Sequence, residues 1–144
     1  MEELMEMREL LAAGRYPEAL ELLTDIEEMG KHGLVSTIDS YVQRLLMPLI
    51  KRHAERRTTH SWEVSIRSSI YEIDKLNRRP KGRGFYVSPD ELHDIIAAAY
   101  GSALAKASLE AFEGQFHESK LETMIDSEAV RAEAMELLLA SQRN

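Results

Sequence analysis

The sequence contains no cysteine, and this absence excludes several kinds of chemistry at once. Without thiols the chain has no disulfide framework, no thiolate zinc site, no iron–sulfur cluster and no cysteine nucleophile. It also lacks an apolar run approaching the roughly 18 residues that span a bilayer. Its first residues are acidic, whereas a secretion signal begins with basic residues and an apolar run. We therefore expect a cytoplasmic protein in a reducing compartment, without membrane association.

Sequence patterns typical of β-strands are also scarce. No segment alternates convincingly between apolar and polar residues, and the short run Phe85-Tyr86-Val87 cannot found a sheet. Apolar residues instead recur at helical spacing, and hydrophobic residues make up 44% of the chain. This composition is typical of globular proteins, and 144 residues fit one domain. The sequence predicts an all-α fold with a single helical domain over residues 1–144.

Glycines, prolines and capping residues divide this domain into six or seven predicted helices. Gly14 and Gly30 are expected to end the two helices of an N-terminal hairpin. Pro48 is expected to kink the third helix, because its ring removes an amide donor. Ser88 with Glu91 predicts a capping box at the start of a long fifth helix. The predicted helices cover about 2–13, 17–29, 36–50, 61–78, 88–113, 119–126 and 127–140.

The charged residues are distributed unevenly along the chain. Residues 1–30 carry 2 basic and 9 acidic residues, residues 31–84 carry 12 and 5, and residues 85–144 carry 4 and 11. A basic middle is thus flanked by two acidic arms. In one interpretation the arms fold back and neutralise the middle. In the other, the middle forms an anion site.

Several short motifs resemble one known family. The segment from Leu22 to Met29-Gly30, the leucine-rich helix after it, Ser61-Trp62 and Ser65-Ile66-Arg67 are similar to landmarks of the bacterial family catalogued as "domain of unknown function twenty-nine". The likeness extends over about residues 9–126 and includes Arg57, Ala99-Tyr100 and Phe116. It departs at Thr24, where an acid is expected, and at Ile70, where an arginine is expected. The resemblance implies an all-helical fold and no activity. Residues 127–144 lie outside the likeness, and their own apolar spacing predicts a C-terminal amphipathic helix.

One set of residues is a candidate polar or anion-binding site: Asp25, Glu27, Arg57, Trp62 and Arg67. Each also has a structural interpretation. The carboxylates suit a solvated helix face, and Trp62 at a helix start suits a core anchor. Arg67 borders an apolar stripe, so we expect it to form a partly buried ion pair with Glu27 or Asp25.

Motifs for catalysis or cofactor binding are thin. The five histidines form no HExxH or Glu-x-x-His pair, and Asp90 in Asp90-x-x-His93 already suits a helix N-terminus. Gly82-Arg83-Gly84 lacks the lysine and the strand of a phosphate-binding loop. No serine lies in a nucleophile elbow. We therefore expect no catalytic residue, metal or cofactor, and we place an enzyme with a helical pocket third among the functional hypotheses.

Two hypotheses rank higher. The leading one is a non-enzymatic helical module that binds a protein partner or itself, with an association face at Val130, Leu137 and Leu138 that could form a homodimer. The alternative is a nucleic-acid-binding protein that uses the basic segment 51–83. Its predicted contacts are Arg56, Arg57, Arg78, Arg79, Lys81 and Arg83.

Overall fold

The computed structural model describes residues 2–143, and these residues form six α-helices. The all-α prediction is therefore confirmed. Across residues 2–143 there is no β-strand, and Arg78 and Phe85 form only an isolated bridge. Within the same range, no helix combines the length and the apolar character needed to cross a membrane. The helices are α1 Glu2–Ala12, α2 Tyr16–Glu55, α3 His60–Asn77, α4 Pro89–Ser108, α5 Glu118–Thr123 and α6 Ser127–Gln142, with short 3₁₀ turns at Pro80–Gly82 and Ala111–Gly114.

The chain divides into two compact units, Met1–Val35 and Ser36–Asn144. In the first unit, α1 ends in a Schellman turn at Gly14. The amide of Arg15 donates to the Leu10 carbonyl at 2.9 Å, and that of Gly14 donates to the Leu11 carbonyl at 3.1 Å. Gly14 has a φ of +72°, which only glycine adopts at little cost. The predicted end of the first helix is confirmed.

The second predicted break, at Gly30, is wrong. Helix α2 runs without interruption through Gly30 and Gly33 to Glu55, so the predicted helices 17–29 and 36–50 are one helix. A glycine inside a helix costs about 1 kcal/mol but leaves the backbone hydrogen bonds in place, so flanking helical turns carry the helix through it. Pro48 also lies inside α2, and the kink expected there stays a prediction.

The core of the second unit is built around the C-terminal half of α2. The apolar residues that recur there at helical spacing are buried, except Tyr41, which is partly buried. Helix α6 packs against both α3 and α4, and α5 packs against α4. The side chains of α2 with no exposed surface are Ile38, Val42, Leu45, Leu46, Leu49 and Ile50.

Helix ends in this unit test the predicted boundaries. The Ser88–Glu91 capping box at the start of α4 is confirmed. Helix α4 ends at Ser108, five residues before the predicted Glu113, because Phe112 and Glu113 adopt left-handed backbone conformations. Helix α5 begins at Glu118 and is capped by His117, whose ring nitrogen accepts the Ser119 amide.

The predicted association face on α6 is wrong in its main residues. Val130 is 0% exposed and Leu138 is 2% exposed, because α6 inserts its apolar stripe between α3 and α4 of the same chain. Leu137 is partly buried. A stripe that is already covered within the chain cannot also cover a second copy, so α6 belongs to the core of the unit Ser36–Asn144.

Candidate functional site

Trp62, the only tryptophan, is partly buried near the start of α3 and lies next to two cations. The Nζ atom of Lys51 lies 5.3 Å from the ring centroid, and the guanidinium carbon of Arg57 lies 4.9 Å from it. Both distances are within the range of cation–π attraction. The structure therefore brings together Arg57 and Trp62 of the predicted polar site, and it adds Lys51.

Lys51 is a charged residue inside the unit. Only 10% of its side chain is exposed, and its Nζ lies 3.2 Å from a carboxylate oxygen of Glu110. A buried ammonium without a partner would be costly, so Glu110 and the Trp62 ring together compensate for its desolvation. Glu110 lies 59 positions further along the chain, in the segment that follows α4. The ion pair therefore connects α2 to that segment.

Glu55, at the end of α2, holds a strained loop. Its Oε1 accepts from Arg57 at 2.9 Å, and its Oε2 accepts from the backbone amide of Phe112 at 3.1 Å. Phe112 and Glu113 have φ angles of 52° and 57°, a conformation that costs non-glycine residues about 1 to 3 kcal/mol each. Burial acts to raise the pKa of Glu55, but the Phe112 amide and the nearby cations outweigh it and lower that pKa. Glu55 therefore stays ionised and clamps the loop.

A second charge network joins α2, α3 and α6. Arg52 donates to Glu63 at 2.9 Å and also to Glu133, and the Nε2 of His53 lies 2.9 Å from the other oxygen of Glu133. Thr58 donates to Glu63 as well. Burial acts to raise the pKa of Glu133, but hydrogen bonds and charge from His53 and Arg52 outweigh it and lower that pKa. The network thus connects three helices through the carboxylates of Glu63 and Glu133.

These contacts bear on the nucleic-acid alternative, because they involve the first part of the basic segment 51–83, from Lys51 to Arg57. Lys51, Arg52 and His53 are paired with Glu110 and Glu133, so two acids of the C-terminal arm contact the basic middle, while the prediction that both acidic arms fold back on it stays a prediction. Arg57 is paired with Glu55. Among residues 2–143, Arg56 makes no ion pair. Little of the positive charge between Lys51 and Arg57 is left for a nucleic-acid backbone.

The predicted nucleic-acid contacts Arg78, Arg79, Lys81 and Arg83 follow α3, and some of them form ion pairs or ring contacts. Arg78 makes a bidentate pair with Asp74 at 3.0 and 3.1 Å and lies over the ring of Phe85. Arg79 lies over Tyr86. Lys81 and Arg83 have no ion-pair partner within the described part of the chain. Three of the predicted contacts in this part of the chain, Arg79, Lys81 and Arg83, therefore have no ion pair among the described residues and support the nucleic-acid alternative.

Two grooves flank the Trp62 cluster. They measure about 490 Å³ and 350 Å³, and both are lined by Lys51, Trp62 and Glu110. Their size suits small ligands. The carboxylates of Glu55 and Glu110 already form ion pairs with cations. Neither is therefore a free carboxyl group of the kind that general acid–base catalysis uses. Residues 2–143 also contain no group of three or more His, Asp or Glu side chains that could hold a metal ion.

The remaining residues of the predicted polar site are Asp25, Glu27 and Arg67. Asp25 and Glu27 are exposed and lie in the first unit, whereas Arg57 and Trp62 lie in the second, so their grouping into one site stays a prediction. Arg67 is exposed, so its expected partial burial is wrong. Hydrogen bonds from Thr58 and Arg52 lower the pKa of Glu63, and the charge of Arg67 on the same helix adds to this effect. The side chain points away from the buried stripe because Arg67 follows Ile66 by one position, about 100° around the helix.

The first unit buries few of its apolar side chains. Among its described residues, only Ala19 is buried. The unit nevertheless holds seven of the twelve large hydrophobic residues that are exposed in residues 2–143, although it contributes only 35 of the 144 positions. These seven residues, which we call the N-terminal apolar surface, are Leu4, Met5, Leu11, Tyr16, Leu20, Leu23 and Met29.

The sequence patterns did not predict this surface. They also missed Glu55, Glu110 and Glu133 as partners of the basic residues from Lys51 to Arg57. Comparison with known proteins adds no further assignment: no family model, no curated protein and no solved structure matches the chain. The resemblance to the "domain of unknown function twenty-nine" family therefore stays a prediction.

Proposed function

We propose that this protein is a non-enzymatic helical module that binds a partner protein through the N-terminal apolar surface. The observation that carries the proposal is the contrast between seven exposed large hydrophobic side chains and one buried residue in the unit Met1–Val35. Each square ångström of apolar surface left in water forgoes about 25 cal/mol of stabilisation. Contiguous exposed apolar patches mark interaction sites in soluble proteins, and Tyr16, Leu20 and Leu23 of this set share one face of α2.

The charged residues of the second unit also support the proposal. Its charged groups near Trp62 form ion pairs with one another, and these ion pairs connect helices of the same unit. The cluster is thus explained by stability, with no need of a substrate. The recognition surface then lies on the unit Met1–Val35, which buries few of its own apolar side chains.

A photocrosslinking experiment tests the proposal. A photoreactive phenylalanine analogue replaces Leu20, which is 63% exposed in the first unit, or Tyr71, which is 65% exposed in the second and provides the control. Illumination in the native cell should yield a defined protein adduct at position 20 and none at position 71. An identical set of adducts at both positions, or none at position 20, would show that the surface does not bind a partner.

A further inference from the structure

The N-terminal apolar surface contains a linear stripe suited to a helix. Tyr16, Leu20 and Leu23 are 60%, 63% and 40% exposed, and their spacing of i, i+4 and i+7 places them on one face of α2. The stripe spans about 10 Å along the helix axis. Glu27 follows Leu23 by four positions, so the same face continues with an exposed carboxylate one turn later. An apolar ridge of this kind fits the apolar stripe of a second helix.

The net charge of the protein is concentrated on the same unit. The unit Met1–Val35 has nine acidic and three basic residues, a net charge of −6, whereas Ser36–Asn144 has 16 acidic and 15 basic residues, a net charge of −1. The apolar stripe therefore lies in a strongly negative environment. A partner with positive charge around its own apolar stripe would be attracted, and a negative partner would be repelled.

We infer that the stripe binds a basic amphipathic helix of another protein, with apolar residues on one face and a Lys or Arg placed to meet Glu27. The inference rests on the proposed function and adds the chemistry of the partner. A second copy of this chain is a poorer occupant of the same surface, because two such units would bring a charge of −6 against another of −6. The charge distribution thus favours a different, basic protein.

Binding of defined peptides tests the inference. Three fluorescent 18-residue peptides serve as probes: a leucine–lysine amphipathic helix, its leucine–glutamate counterpart, and a scrambled leucine–lysine peptide without an apolar face. Fluorescence anisotropy with the full chain should show micromolar binding of the first peptide and at least tenfold weaker binding of the other two. Binding should also weaken as salt rises, since exposed charges are screened within about 10 Å at 0.1 M.

Variants of the chain locate the binding site. Leu20→Gln should weaken binding of the leucine–lysine peptide by roughly tenfold to a hundredfold, because a buried leucine is lost from the contact. Glu27→Lys should weaken it about five- to tenfold. Asp25→Lys is the matched control, because it makes the same change of net charge about 160° away around α2. It should leave the affinity within about twofold of that of the unchanged chain.

The outcomes separate this inference from the proposed function. Equal loss from Asp25→Lys and Glu27→Lys, or equal binding of the scrambled peptide, would reduce the binding to general charge attraction and overturn the inference. So would self-association at tens of micromolar that Leu20→Gln abolishes, because the occupant would then be a second copy. Specific crosslinks at position 20 without any preference for the basic peptide would leave the proposed function intact and refute only the partner chemistry.

Discussion

Replacing Asn77 should lower the stability of the protein, because this one side chain holds the loop between α3 and α4. It is 1% exposed; its amide donates to the Val87 carbonyl at 3.3 Å, and its carbonyl accepts the Val87 amide at 2.8 Å. Val87 is 0% exposed. Replacing Asn77 with Leu, of similar size, leaves both backbone groups of Val87 without their partners. Each such group costs about 1 to 3 kcal/mol, so we expect a loss of about 3 kcal/mol after partial compensation by the apolar side chain.

Urea unfolding followed by the fluorescence of Trp62 measures this loss within the unit that contains Asn77. With a typical slope for a unit of this size, the midpoint should fall by about 2 M. Asn77→Asp is the companion variant, because it keeps an acceptor for the Val87 amide but sets a carboxylate against the Val87 carbonyl. Burial would raise the pKa of that carboxyl, so the variant should recover stability as the pH falls towards about 4. A loss below about 0.5 kcal/mol for Asn77→Leu would refute the reasoning, since water would then reach Val87.

Three further predictions concern the core, the charge network and the nucleic-acid alternative. Removal of the residues after Asp126 should lower the free energy of unfolding and leave the mass in sedimentation equilibrium that of a monomer, because Val130 and Leu138 pack within the chain. The pKa of Glu133 is lowered in the folded chain. Its ionised carboxylate therefore stabilises the fold above the unfolded pKa, and this stabilisation is lost as the pH falls through the folded pKa. Glu133→Gln should remove this part of the pH dependence of the free energy of unfolding. If the chain binds nucleic acid, the binding should weaken with salt and disappear in a filter-binding assay when Arg56, Arg57, Arg78 and Arg79 are all changed to Gln, and absence of binding at low salt would remove the alternative.

Local signals predicted much of the fold. The stripe through Leu46 is buried as its spacing indicates, and the Ser88 capping box and the Gly14 stop are where the residues place them. Each of these depends on neighbours within one or two turns. Gly30 misled because a glycine ends a helix only where the chain adopts a positive φ, as Gly14 does at +72°, and nothing near Gly30 requires that conformation.

The candidate site was less predictable because its contacts join distant parts of the chain. Lys51 and Trp62 could be noted as a basic and an aromatic residue, yet Glu110 lies 59 positions from Lys51, and the Phe112 amide lies 57 positions from Glu55. No periodic pattern records such pairs. The α6 stripe was predicted correctly as amphipathic, but its partner helices were not, since an apolar face shows that it needs cover without showing what covers it.

Burial and charge together explain why recognition is assigned to the first unit. Helix α1 has no buried residue, and 11 residues are too few for a helix that is stable alone in water. Such a unit gains stability from anything that binds its folded form, by mass action. A partner that covers Tyr16, Leu20 and Leu23 would supply the apolar contacts that the unit lacks, and a basic partner would also offset the repulsion among its nine acidic residues. The features that leave the unit poorly packed by itself are therefore the same features that make a basic, apolar helix a stabilising ligand for it.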